Sequence, residues 1–168
     1  MPNHVVNEII FHNVGLSTQM RLVDALCDER SNIDFEKIVP LPLNIWWGSV
    51  GSKHSVFPDN ALNWCAKNWG TKWNAYRHKP TETTSDSITF VFETAWSTPY
   101  GWLVAVFNKF KLPFEYNTFS EGEERARSGK FWIVGDGVEW DESPAKEETH
   151  RRMHLLQWGV EQFDEEPA

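Results

Sequence analysis

The sequence predicts a single α+β domain in which helices cover one face of a mainly antiparallel sheet. Residues 88–96 alternate large apolar side chains with smaller or polar ones, which is typical of a strand with one buried face. Directly afterwards, Trp102, Val106 and Phe110 recur at helical spacing and form an apolar stripe. Both the stripe and the strand face leave water when the helix packs on the sheet, so the two patterns indicate one core.

Two elements near the N-terminus follow from local signals. Residues 5–11 are predicted as a strand, and Ser17 is a favoured cap for a helix over residues 18–29. Residues 44–57 are rich in Gly, Ser and Trp and show no regular period, so we expect a loop there. Together with the helix that follows it, this loop forms an insertion over residues 44–69.

The inserted helix has a clear beginning and end. Asp59 can cap it, and Leu62, Cys65 and Trp69 fall on one apolar stripe at helical spacing. Gly70 is predicted just past its end, because the residue after a helix often adopts the left-handed conformation that glycine tolerates.

The later residues complete the sheet and add a last helix. Further strands are predicted at residues 71–78, 114–119, 130–134 and 138–140, with a charged loop at 120–129. Ser143 followed by Pro144 is a cap and first-turn proline, which predicts a helix at residues 145–158. Residues 1–160 are therefore interpreted as one domain, and residues 161–168 as an acidic, frayed tail.

Net charge and short motifs narrow the classes of function. The formal charge of −8 opposes binding to a phosphate backbone and suits either solubility or docking on a basic partner. No apolar run approaches the roughly 20 residues that span a bilayer, and Met1–His4 does not resemble a signal peptide, so we expect a cytoplasmic protein. No nucleophile elbow, phosphate loop or metalloprotease motif is present, which disfavours an enzyme.

Metal and cofactor sites are also disfavoured. Two cysteines, Cys27 and Cys65, cannot by themselves hold a structural zinc ion or an iron–sulfur cluster, and both lie on predicted apolar stripes. His150 and His154 are one helical turn apart with Glu147 nearby, a spacing that allows two metal ligands on one face. The helix is highly charged, so a solvated face is the preferred interpretation, and no cofactor is expected.

The best candidate for a binding site combines residues 69–76 with residues 94–97. If these segments are neighbours, a cation, an amide, a carboxylate and several aromatic rings converge, a combination that suits a nucleotide-like ligand or a peptide. The candidate binding residues are Trp69, Lys72, Trp73, Asn74, Tyr76, Glu93 and Trp96. Burial in the core is the alternative for each tryptophan, because the helix over residues 98–110 needs apolar partners.

Several segments carry a resemblance to a known family. MPNH at the N-terminus, KIVPLP at residues 37–42, WCAKNWGTKWNA at 64–75 and FETAWSTP at 92–99 resemble the YubB-like proteins of plasmids, bacteriophages and genomic islands. The resemblance covers nearly the whole chain, to about Gly137, and the NWGTKWNA and TAWS segments are its most specific parts. It implies a ferredoxin-like βαββαβ fold, which names a topology rather than a cluster, and a mobile element in a bacterium. It assigns no residue a role.

Three functions remain open. The first is a non-enzymatic accessory protein of a bacteriophage or other mobile element that binds a host protein with a basic surface, for example to inhibit a bacterial immune complex. The second is a binder or sponge for a nucleotide-like signal, favoured by the aromatic residues and by Lys72 with Arg77 nearby. The third, an enzyme, lacks a recognisable catalytic set. The oligomeric state is left open.

Overall fold

The computed structural model describes residues 3–48, 59–135 and 137–160. Among these residues there are four α-helices and six strands. The helices are α1 (Leu16–Leu26), α2 (Ala61–Asn68), α3 (Tyr100–Phe110) and α4 (Glu147–Trp158). The strands are β1 (His4–His12), β2 (Glu82–Thr83), β3 (Ser87–Ala95), β4 (Phe114–Ser120), β5 (Arg127–Val134) and β6 (Gly137–Pro144). The predicted acidic tail and much of the predicted loop at 44–57 lie outside the described residues.

All six strands form one antiparallel sheet in the order β2-β3-β1-β4-β5-β6. Strand β1 is an interior strand of this sheet, and its Val5 is opposite both Thr94 of β3 and Ser120 of β4. Helix-containing connections join β1 to β2 and β3 to β4, and in each case another strand lies between the two that are connected. This arrangement is the split βαβ pattern, and it confirms the predicted ferredoxin-like α+β fold. The β5–β6 hairpin extends the sheet at one end.

The main core lies between one sheet face and the layer that contains α1, α2 and α3. Strands β1 and β3 contribute their alternate apolar residues to this face, and α3 covers them with Trp102 and Phe107. Phe35, from the connection after α1, packs between these layers and contacts both Phe92 and Trp102. The alternation in residues 88–96 and the stripe on α3 therefore meet in one core, as the sequence predicts.

Helix α4 packs on the opposite sheet face. Met153 on α4 joins Val6 of β1 and Val91 of β3 in a second, smaller apolar cluster. These strand residues have the opposite parity to Ile9 and Phe90, which face the main core. The C-terminal helix is thus separate from the layer that covers the first face. None of the helices in the described ranges is long and apolar enough to cross a membrane.

Several predicted helix starts are wrong by a few residues. Helix α1 begins at Leu16, so Ser17 lies inside it, and α2 is capped by the Asn60 side chain rather than by Asp59. Thr98 and Pro99 are typical of a cap and a first helical residue, but α3 begins at Tyr100 and the Thr98 hydroxyl is hydrogen-bonded to the Thr118 hydroxyl in the sheet. Ser143 and Pro144 end β6 rather than starting α4, since the hairpin partner β5 extends the strand to that point.

The predicted strand at residues 71–78 is also irregular. Only Tyr76 forms a β-bridge in this segment, to Glu93, and regular pairing with β3 begins later, at Glu82 and Thr83. Arg77 has a positive φ of 47°, which interrupts an extended conformation. The segment follows the edge of β3 without becoming a continuous strand.

Candidate binding surface

The two segments that the sequence singles out are neighbours in the structure. Tyr76 and Glu93 exchange backbone hydrogen bonds of 3.0 and 2.8 Å. Nearer the end of β3, the Ala95 carbonyl accepts hydrogen bonds from the Thr71 hydroxyl at 2.7 Å and from the Lys72 amide at 3.3 Å. These contacts bring the side chains after Gly70 beside those at the end of β3.

Lys72 lies against the rings of Trp73 and Trp96, and we call these three residues the cation–indole surface. The Lys72 ammonium is 4.6 Å from the Trp73 ring centroid and 4.5 Å from that of Trp96. The two tryptophans are 40% and 49% exposed. In the part of the chain that the structure describes, the ammonium has no hydrogen bond or ion pair. The two rings hold the cation in place and leave its N–H groups directed to solvent or to a ligand.

Trp96 adopts an unusual backbone conformation. Its φ is +79°, a left-handed value that bulky residues rarely adopt and that costs on the order of 1–3 kcal/mol. Its amide donates to the Asn3 carbonyl at 2.9 Å, and the next residue, Ser97, is fixed because its carbonyl accepts from the Thr94 hydroxyl at 2.8 Å. The surrounding hydrogen bonds therefore hold the strained residue with its indole at the surface.

A half-buried polar cluster lies beside the cation–indole surface. The Tyr76 hydroxyl is 2.6 Å from His4 Nδ1 and donates to the Thr94 carbonyl at 3.1 Å. The buried carboxylate of Glu93 pairs with Arg77 at 3.1 Å and lies 3.6 Å from His4 Nδ1. Burial, and then the charge of Glu93, raise the pKa of Tyr76 to about 12. Because these groups satisfy one another, Tyr76 and Glu93 support the surface rather than forming its exposed part.

Two of the predicted site residues have structural roles instead. Trp69 is buried in the main core, where its ring N–H donates to the Val39 carbonyl at 2.8 Å. The Asn74 side chain accepts from the Phe35 amide at 2.9 Å and donates to the Asp34 carboxylate at 2.8 Å, so it ties its segment to the connection after α1. Of the seven candidates, Lys72, Trp73 and Trp96 thus converge on an accessible surface, and Trp69 and Asn74 do not.

A cavity of about 350 Å³ adjoins Trp96, and we call it the Trp96 cavity. Trp96, Ser97 and Thr98 line it from the end of β3, and Arg127 and Glu142 line it from the β5–β6 hairpin. Arg127 and Glu142 were not among the candidates predicted from the sequence. They lie about 30 and 45 residues beyond the TAWS segment, and only the packing of the hairpin onto β4 brings them to it.

Glu142 is the centre of a hydrogen-bond network at the wall of this cavity. One carboxylate oxygen accepts from the Tyr100 hydroxyl at 2.5 Å and from the Tyr116 hydroxyl at 2.8 Å, and the other accepts from Arg127 Nε. Burial first, and then the hydrogen bond to Glu142, raise the pKa of both tyrosines. Both hydroxyls therefore remain donors at neutral pH, and Glu142 is held rigidly.

A larger polar groove of about 600 Å³ lies beside α4 on the other sheet face. Its buried carboxylate, Glu8, accepts from Arg152 at 2.6 Å and from the Asn117 amide at 2.7 Å. Arg152 also reaches Glu82, with both carboxylate oxygens at 3.2 Å. The principal charges at this end of the groove are therefore already paired with one another.

Within the described ranges, no cluster of His, Cys, Asp and Glu could hold a metal ion. His150 is buried and its Nδ1 accepts from the Ala126 amide at 3.2 Å, while His154 Nδ1 is 2.9 Å from the Val160 carbonyl. Cys27 and Cys65 are free and buried, and burial raises the pKa of each thiol to about 11. Neither thiol is therefore in the reactive thiolate form at neutral pH.

Comparison with known proteins identifies the family of this chain. No curated protein and no solved structure matches it. A family match covers residues 68–167, more than half of the chain, and includes the cation–indole surface and the Trp96 cavity except for Val5. Strand β1 lies outside the matched residues. The chain belongs to the family described as the ferredoxin-like domain in Api92-like protein.

Proposed function

We propose that this chain is a non-enzymatic binding protein whose cation–indole surface contacts another protein. The conformation of Trp96 is the observation that carries this proposal. A glycine would adopt a φ of +79° without strain, whereas a half-exposed tryptophan adopts it at a cost and gains little burial in return. Strain held in place by neighbouring hydrogen bonds is typical of residues that serve binding rather than stability.

The composition of the surface supports a protein partner. Tryptophan is enriched among the interface residues that contribute most to binding, because a rigid ring buries a large area with little loss of conformational entropy. Trp73 and Trp96 are accessible before binding, and Lys72 between them offers N–H donors to a carbonyl or carboxylate of the partner. The surface thus supplies apolar anchors around one polar contact.

The charge of the chain and its resemblance to YubB-like proteins support a particular class of partner. A net charge of −8 favours encounter with a basic protein surface, since opposite charges accelerate association. The mobile-element setting of the YubB-like proteins suggests a partner in the cytoplasm of a bacterial host. We therefore propose an accessory protein of a bacteriophage or other mobile element that occupies a basic host surface, such as one on an immune complex.

The proposal is tested by measuring whether variants of the cation–indole surface still bind the partner. The purified chain would be used to retrieve proteins from a bacterial lysate, the retained protein identified by mass spectrometry, and its binding repeated with purified components. We expect Trp73→Ala or Trp96→Ala to weaken binding at least about tenfold, because the loss of a central aromatic anchor commonly costs about 2 kcal/mol. Trp158→Ala is the matched control, since Trp158 is 48% exposed but lies on α4.

Two results would contradict the proposal. One is the absence of any stoichiometric partner in lysates of several bacterial hosts, and the other is equal weakening by Trp158→Ala and Trp96→Ala. Turnover of a substrate that is lost in Glu93→Gln, with stability retained, would instead indicate an enzyme. Glu93 is suited to that comparison because its carboxylate is buried and lies on β3, two residues before Ala95, whose carbonyl accepts from the Lys72 amide.

A further inference from the structure

The Trp96 cavity combines a flat aromatic wall with a positioned cation. Its volume of about 350 Å³ is at the lower end of the range for small-ligand sites, which suits a molecule about the size of a mononucleotide. Trp96 and Arg127 both line it, together with several hydroxyl-bearing residues. Those residues are Ser97, Thr98, Thr118 and Ser120.

Arg127 is held so that part of its guanidinium is free. Nε donates to Glu142, which is itself fixed by the hydroxyls of Tyr100 and Tyr116. Across the residues that the structure describes, neither terminal nitrogen of Arg127 has a hydrogen-bond partner. An arginine anchored through Nε can offer its two terminal N–H groups to a phosphate with little loss of side-chain freedom.

The start of α3 contributes a partial positive charge to the cavity, whose charged lining side chains are Arg127, Glu123 and Glu142. Thr98 lines the cavity just before this 11-residue helix, and the first turn contains no acidic residue and no side-chain cap. The partial positive charge of the helix N-terminus is therefore not neutralised by its own side chains. Glu123 is the remaining acidic group in the lining, and it opposes an anion while offering an acceptor to sugar hydroxyls or ring N–H groups. Its presence argues against a highly charged polyphosphate.

Trp96 supplies the aromatic wall. Its ring is about half exposed and borders both the cavity and Lys72. Stacking of a base on an aromatic side chain is worth about 1–3 kcal/mol and does not require a particular base. A nucleotide with its base stacked on Trp96 and its phosphate bound by Arg127 would use both of these lining residues.

We infer that the Trp96 cavity is a binding site for a mononucleotide, with Trp96 stacking on the base and Arg127 binding the phosphate. This inference goes beyond the proposed protein contact and does not depend on it. Isothermal titration calorimetry of the purified chain with AMP, GMP, CMP and UMP tests it. We expect binding of at least one of them, and binding at least about tenfold weaker for adenosine or inorganic phosphate alone.

Variants test whether Trp96 contacts the base and Arg127 the phosphate. Arg127→Gln and Trp96→Leu are each expected to weaken nucleotide binding about tenfold or more. Arg127→Lys is expected to retain an intermediate affinity, because lysine keeps the charge but lacks the planar guanidinium that donates two parallel hydrogen bonds. Arg151→Gln is the control, since Arg151 is a similarly exposed arginine that pairs with Glu147 on α4. Thermal denaturation verifies that each variant is folded.

Three results would overturn the inference. No heat of binding with any of the four mononucleotides at millimolar concentration would exclude the site, as would an unchanged affinity in Arg127→Gln. Phosphate binding as tightly as the best nucleotide would show an adventitious anion only. Failure here is distinguishable from failure of the protein contact, because Trp73→Ala removes an anchor outside the cavity and Arg127→Gln leaves the cation–indole surface unchanged.

Discussion

Two pairs of tryptophans, one in the main core and one at the cation–indole surface, have opposite environments. Trp69 and Trp102 are almost fully buried, surrounded by Phe35 and other aromatic rings of the main core. Trp73 and Trp96 are 40–49% exposed and hold a lysine between them. The first pair gains its stabilisation from area removed from water, whereas the second leaves much of its area available to another molecule. The same residue type therefore serves stability in one region and, we propose, recognition a few residues away.

Truncation of a buried ring should have the largest effect. Trp102→Ala removes a side chain with no exposed area and leaves a cavity beneath α3, so we expect a loss of about 3–5 kcal/mol in the free energy of unfolding. Trp73→Ala should cost less than about 1 kcal/mol. Urea denaturation of the two variants measures both values, and equal losses would show that Trp73 is as important to stability as the core.

The two buried tryptophans should also differ from each other. Trp69 Nε1 donates to the Val39 carbonyl, whereas Trp102 Nε1 is buried without a hydrogen-bond partner among the described atoms. Trp69→Phe leaves a carbonyl without its donor, and Trp102→Phe removes a donor that lacks an acceptor. We expect Trp69→Phe to be more destabilising by about 1–2 kcal/mol in urea denaturation. The reverse order would mean that ring volume alone decides the outcome.

Replacing the strained tryptophan should hardly change stability. Trp96→Gly relieves the left-handed strain, which is about 1 kcal/mol at the lower end of its range, and loses a contact with Lys72 of similar size and opposite effect. We therefore expect a free energy of unfolding, measured by urea denaturation, within about 1 kcal/mol of that of the native chain, together with loss of partner binding. A strongly destabilised Trp96→Gly variant would assign Trp96 a structural role and remove the main support for the proposed function.

The smallest effect at neutral pH concerns the three tyrosines. Folding raises the pKa of Tyr76 to about 12, mainly through burial, and raises those of Tyr100 and Tyr116 as well. The unfolded chain therefore releases these protons first, and stability is unaffected at neutral pH but falls as pH rises through about 10. In an alkaline titration followed by tyrosinate absorbance, all three tyrosines should ionise above pH 10 as long as the chain is folded. Absorbance rising near pH 10 with native circular dichroism would contradict this expectation.

Local patterns in the sequence predict the architecture better than the site. The alternation in residues 88–96 and the stripe on α3 are periodic signals, and both elements are found close to the expected positions. The aromatic content of residues 69–76 suggests a site role for Trp69, but its spacing from Leu62 and Cys65 places it on the predicted apolar stripe. The structure agrees with the spacing, because Trp69 is buried.

The remaining features of the site depend on distant contacts. Nothing in the residues around Arg127 indicates that it would line a cavity together with Trp96, because β4 and the β5–β6 hairpin must first take their places in the sheet. The sequence does not predict the left-handed conformation of Trp96 either, because that conformation is expected at Gly, Asn or Asp rather than at tryptophan. The sequence could predict the convergence of Lys72, Trp73 and Trp96, because the two segments that carry them are joined directly by backbone hydrogen bonds.

The interior position of β1 has a consequence for how the chain can be divided. Residues 4–12 are hydrogen-bonded on one side to β3 and on the other to β4, and among the strands that the structure describes no other joins these two halves. A fragment restricted to the family-matched residues would therefore contain a short β2–β3 hairpin and a separate β4–β5–β6 meander, each with an open edge. Because β1 precedes both β3 and β4 in the chain, it can pair with the two strands only after both have emerged from the ribosome.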